Sequence, residues 1–148
     1  GKVWSPEHGH WHNISTNSAS MLPGAEASSK ETRREFGMTT RFRVTPKTTS
    51  PYSLYGETFL APEIDEICVA SNTMSFQDYL DCRLFVLTVE LFYNNGIFQE
   101  IVRFLQNQNI SVSQYIQSIH QKAYKNDSPL AEIYQGFLQE TKELWENF

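Results

Sequence analysis

A chain of 148 residues with 12 Lys+Arg and 17 Asp+Glu carries a formal net charge of -5 and is long enough to bury a substantial core. Ten Phe, seven Tyr and three Trp exclude disorder throughout, and no run of eighteen uncharged apolar residues offers a membrane-spanning helix. The charge is unevenly spread, at net -1 over residues 1–29, +4 over 30–56 and -8 over 57–148, which lacks the face-wide positive excess that nucleic-acid binding requires.

The opening GKVWSPEHGHWHN has neither the apolar core of a signal peptide nor an initiator Met, so the chain is expected to begin inside a larger protein. Residues 1–29 are rich in Ser, Asn, His and Gly. Alternation predicts a strand over Ile14–Met21, with Ile14, Thr16, Ser18 and Ser20 on one side. So polar a strand does not form alone and must belong to a sheet. Leu22-Pro23-Gly24 stops it, because Pro lacks a ladder donor and Gly permits a turn.

Residues 30–74 read as a mixed α/β connecting segment. Lys30–Phe36 is a short charged helix ended by Gly37, Met38–Val44 is a strand with Arg41 and Arg43 on one face, Thr45–Gly56 is a loop, and Ile64–Ala70 is a second strand. From residue 75 to 148 the period is helical. Ser75 and Asp78 form a capping box that opens a helix running to Asn95, and its half LFVLTVELFY is apolar almost all round. Further helices are expected over Ile97–Gln106, from Ser111 with Gln114 at the third position, and from Ser128-Pro129, the last with a stripe ending in Leu144-Trp145. The fold class is therefore α+β and predominantly α, with a C-terminal subdomain of about four helices.

Several polar groups have the residue types that chemistry uses. His8, His10 and His12 would share one face of a strand, as a metal site needs, or else form a solvated loop cluster. Arg41 and Arg43 present paired guanidinium forks that suit carboxylate or phosphate, or else are solvated or neutralised by the acidic helical part that follows. Glu26 follows the end of the first strand, where α/β architectures place ligands, or else is a simple helix N-terminal charge. Arg83 and Glu90, seven residues apart within the apolar helix, must be paired or reach the rim, and His120 is read as a partly exposed helix residue. Cys68 and Cys82 stand fourteen apart, with no CxxC, and read as two buried, reduced thiols in a cytoplasmic setting.

Taken in order, these segments resemble the C-terminal portion of radical S-adenosylmethionine enzymes of the type that also carries a cobalamin-binding domain. Leu22-Pro23-Gly24-Ala25-Glu26 is similar to that family's strand-ending turn with its small residue and Glu. Arg33-Arg34-Glu35-Phe36-Gly37 is similar to its charged helix with an aromatic-Gly end. ICVASNTMSFQDYLDCRLFVLTVELFYNNG is similar to its strand, Thr-x-Ser/Thr-Met turn and long helix, with Cys82-Arg83 and Phe92-Tyr93-Asn94 among the matching positions. The resemblance covers residues 9–97. It implies that Ile14–Met21 is the last strand of a partial (β/α) barrel, with Asn17 and Glu26 facing cofactor or substrate, and that the helices cap the barrel. It also implies a [4Fe–4S] cluster, S-adenosylmethionine and cobalamin in the parent protein, with a small-molecule substrate and the N-terminal remainder of the same polypeptide as partners. The family's CxxxCxxC is absent, so this chain holds no cluster by itself. The rival expectation is a stand-alone helical interaction module with a metal-binding leader at His8, His10 and His12.

Overall fold

The computed structural model describes residues 14, 18–124 and 128–146, leaving out the side chains of residues 46 and 47. The fold is α+β: a short helix, an antiparallel hairpin and four longer helices follow one another along the chain. Helix α1 (Lys30–Glu35) starts at Ser29, whose Oγ accepts the Thr32 N–H at 3.1 Å. It ends on Phe36 and on Gly37 at φ 56°.

Strands β1 (Thr39–Leu54) and β2 (Glu57–Ala70) pair antiparallel over almost their whole length. The expected loop over Thr45–Gly56 is therefore mostly strand. Within that segment residues 45–48 leave the ladder, where four β1 residues oppose a single β2 residue between the pairs Val44–Ile64 and Thr49–Pro62, and a smaller shift at the base leaves Val69 unmatched between the pairs Thr39–Ala70 and Thr40–Cys68. Beyond this bulge the strands close through a two-residue turn, Tyr55 at φ 52° and Gly56 at φ 86°. Positive φ at both positions is the turn geometry that matches strand twist. Pro, Ser and Thr content suggested a loop because it is the composition of an exposed ribbon as well.

The base of this hairpin is flanked on both edges. Ser20 bridges to Ile67 on the β2 side, and Trp145 bridges to Phe42 on the β1 side, with N···O distances of 2.8 and 3.1 Å. Two expectations are corrected here. The described part of the expected Ile14–Met21 strand is a single antiparallel bridge, because β2 offers it partners only around Ile67. Trp145 is not on the last helical stripe either: it serves the open backbone groups of Phe42 instead.

Helix α2 (Phe76–Val89) opens as the capping box predicts. Asp78 N–H donates to Ser75 Oγ at 3.1 Å, and Ser75 N–H donates back to Asp78 Oδ2 at 2.8 Å. The helix continues through one π-helical turn, Glu90–Asn94, before stopping at Gly96. Then come α3 (Gln99–Asn107), α4 (Val112–Ala123) and α5 (Pro129–Lys142). Ser111 Oγ accepts the Gln114 N–H at 3.4 Å and Ser128 Oγ accepts the Ala131 N–H at 3.2 Å, the two caps that the spacing of Ser and Gln or Pro pointed to.

The chain divides into two compact units, one of residues 18–79 with 143–148 and one of residues 80–142 with 1–17. The first, or hairpin, unit buries Met21, Ile67, Cys68 and Val69. The second, or helical, unit has two apolar clusters. One gathers Val89, Tyr93, Val102 and Ile116 with Ile14 packed on it, and the other Leu84, Ala123 and Tyr134 with Leu87, Leu130 and Phe137. No helix among the described residues is long and apolar enough to cross a membrane.

Candidate functional site

In the hairpin unit, the segment before the Leu22-Pro23-Gly24 turn is held by backbone bonds on one side only. Cys68 N–H donates to Ala19 O at 2.9 Å and Met21 N–H donates to Glu66 O at 2.8 Å. Extended residues alternate the direction of their peptide groups, so those of Ser20 face the opposite edge, where they meet no partner among the described residues. The turn itself is tied by Ala25 N–H to Leu22 O at 3.1 Å and by Ser28 Oγ, 2.6 Å from the same carbonyl. Glu26 sits exposed at the start of the 3-10 turn that follows, and no ion pair joins it to Arg41 or Arg43.

The basic strand is answered by acids of its own unit. Arg33 grips Glu66 with both terminal nitrogens, at 2.5 and 2.8 Å, and Thr40 Oγ1 donates to the same carboxylate at 2.6 Å. The hydrogen bond from Arg33, joined by that from Thr40, holds the Glu66 carboxyl below the usual range, although desolvation opposes it. Arg43 pairs with Asp65, directly opposite on β2, at 3.0 Å. Arg41 pairs with Glu146 at 3.1 Å and lies over the Phe76 ring, 4.3 Å from its centroid. Both guanidinium groups expected to take an anion thus carry a carboxylate already. No sequence pattern marks Asp65, Glu66 or Glu146: Asp65 meets Arg43 through a register that the bulge at residues 45–48 displaces, and Glu66 and Glu146 meet Arg33 and Arg41 from other elements.

The helical unit brings together residues that the sequence did not join. Thr88 is fully buried, and its hydroxyl donates to Leu84 O at 3.1 Å, the carbonyl one turn back. Its oxygen lies 2.7 Å from Tyr134 Oη and 2.8 Å from His120 Nδ1. A hydroxyl has one hydrogen and two lone pairs. With the hydrogen given to Leu84, Tyr134 and His120 must both donate, which places the neutral imidazole's proton on Nδ1. His120 also meets the edges of Phe85 and Tyr124, at centroid distances of 5.2 and 5.5 Å. Desolvation among these rings lowers its pKa, against a smaller opposing pull from Asp81. The available signal is Thr88 itself, the one small hydroxyl residue inside LFVLTVELFY.

Arg83 and Glu90 do not pair with each other. The Arg83 guanidinium lies 4.7 Å from the Phe137 ring centroid, and Glu90 Oε1 accepts from Asn94 Nδ2 at 2.6 Å. An open groove of about 480 Å³ runs along α4, lined by Phe92, Tyr115, Ile119, Lys122 and Leu130.

His8, His10, His12 and Asn17 lie outside the described residues. Cys68 is buried and its thiol points to Ala70 O at 3.2 Å, whereas Cys82 is exposed. Two thiols do not supply the ligands of an iron–sulfur cluster, and among the described residues no three His, Cys, Asp or Glu side chains gather to hold a metal. Comparison with protein-family models and with curated proteins found no match to this chain.

Proposed function

We propose that the chain is the C-terminal portion of a radical S-adenosylmethionine enzyme of the cobalamin-binding type, and that its task is to complete and cap a barrel rather than to perform the chemistry. The supporting observation is that all three resembling motifs fall on successive element boundaries. Leu22-Pro23-Gly24 is a turn, Phe36-Gly37 ends α1, and Ser71–Met74 is a closed turn between β2 and α2, with Ser71 N–H donating to Met74 O at 2.8 Å. The backbone edge of Ser20, which meets no partner among the described residues, adds to this, since it lies immediately before the turn that carries Glu26.

On this reading, the cluster, S-adenosylmethionine and cobalamin are held by the remainder of the polypeptide, in a cytoplasmic enzyme with a small-molecule substrate. The two cysteines here do not fit the cluster, and no step is assigned to it. Of the residues expected to face cofactor or substrate, exposed Glu26 keeps that role, together with Asn17. Arg41 and Arg43, paired with Glu146 and Asp65, would meet an anionic group only by exchanging those carboxylates.

The test is the gene. The reading requires a CxxxCxxC encoded upstream of Gly1, and reductive release of methionine from S-adenosylmethionine by the anaerobically purified full product. An initiator codon directly before Gly1, or a full product that leaves S-adenosylmethionine intact, refutes it. The second reading, a helical binding module, draws on the open groove along α4 and gains if that initiator codon is found.

A further inference from the structure

The π-helical turn Glu90–Asn94 has a consequence for the opposite end of the chain. One extra residue in a turn rotates everything after it by about 100° relative to a regular helix. In this unit the turned-out side chain is Asn94, and its carboxamide meets the backbone of Ile14, eighty residues away. Asn94 Oδ1 accepts the Ile14 N–H at 2.9 Å, and Asn94 Nδ2 donates to the Ile14 carbonyl, also at 2.9 Å. The second hydrogen on Nδ2 goes to Glu90 Oε1 at 2.6 Å.

This arrangement fixes its own polarity. Rotating the amide by half a turn would aim Oδ1 at the Glu90 carboxylate and present each Ile14 group with the wrong partner, so Glu90 selects the orientation that reads the backbone. A single residue offers its N–H and C=O to the same side only when extended, as a residue does toward a neighbouring strand. Asn94 therefore does the work of a strand with one side chain. The Ile14 side chain packs against the cluster of Val89, Tyr93, Val102 and Ile116, of which Val102 is wholly buried.

We propose that the π turn and this cluster form a binding site for one residue of extended polypeptide carrying a branched aliphatic side chain, filled in cis by Ile14 and anchored by Asn94. The carboxamide reads the peptide group and the cluster reads the side chain. The site goes beyond the radical-enzyme reading and stands whether or not that reading holds. It explains in physical terms why Ile14 belongs with helices that the sequence separates from it by a whole hairpin.

Hydrogen exchange read by NMR on the 148-residue chain is the test. The Ile14 amide is expected to exchange at least 100-fold more slowly than in an unstructured peptide, and Asn94→Leu is expected to remove that protection while the Val89 amide keeps its own. Asn94→Asp retains the acceptor for the Ile14 N–H but loses the donor and sets two carboxylates together, so it should fall between the two. Should Asn94→Leu disturb α2, Ile14→Pro removes the N–H without touching the helices, and the Asn94 carboxamide proton resonances should then shift and exchange faster at unchanged helix content. An Ile14 amide unprotected in the wild-type chain, protection unchanged in Asn94→Leu, or Asn94 carboxamide resonances unchanged in Ile14→Pro overturns the proposal.

Discussion

Replacing Thr88 by Val separates packing from hydrogen bonding at the centre of the helical unit. The two side chains have nearly the same shape, so no cavity opens, but the oxygen that receives two hydrogen bonds is gone. Tyr134 is 1% exposed and has nowhere to turn its hydroxyl, which carries a penalty of about 2 kcal/mol when left unmet. His120 is only half-buried and recovers water, so its orphaned N–H costs less, on the order of 0.5 kcal/mol. The added apolar methyl returns a fraction of this, and the net loss expected is about 2 kcal/mol. Thr88→Ser keeps the hydroxyl and deletes one methyl, at about 1 kcal/mol. Tyr134→Phe in the Thr88→Val background removes the stranded hydroxyl, so the double variant should cost less than the sum of the single ones.

Urea melts followed by circular dichroism at a helical wavelength give the four free energies. The reasoning predicts that Val is worse than Ser at position 88, the reverse of what apolar burial alone would give. Thr88→Val as stable as the wild type, or less harmful than Thr88→Ser, would show that the hydroxyl contributes nothing and refute the reasoning.

Two further expectations follow from the same geometry. His120 titrates below its ordinary value when folded, because burial disfavours the imidazolium, so the unfolded chain binds the proton more readily in the interval below about 6.5. Stability of the helical unit should therefore be full above that value and fall as pH drops toward the folded pKa, and His120→Gln should flatten this limb in melts across pH 5–8. At the hairpin unit, Gly37→Ala forces a side chain into φ 56°, and the new Cβ would fall on the Asn72 carboxamide oxygen. That amide donates to Glu35 O at 3.0 Å, so the strain and the lost cap together should cost about 2 kcal/mol in a thermal or urea melt, and a change below about 0.5 kcal/mol would contradict the account.

What the sequence disclosed and what it hid divide along a physical line. Caps and turns are local: Ser75 with Asp78, Ser111 with Gln114, Ser128 before Pro129, and Gly37 after Phe36 each satisfy a backbone group within a few residues, so spacing alone carries the information. Pairing is not local. Whether Arg43 finds Asp65 depends on how many residues the bulge at 45–48 removes from the ladder, and nothing in the alternation of either strand encodes that number. The same holds for Trp145, which looks helical by its spacing from Leu138 but is drawn to the open edge at Phe42. Asn94 is the sharpest case. In the sequence it is one of two asparagines before a glycine, an ordinary helix-ending signal. Only the extra residue in the turn, a departure from the period on which the reading of the helix relied, turns its amide toward Ile14. Arg43 and Asn94 are placed by irregularities, a bulge and a wide turn, and a periodic reading is blind to both by construction.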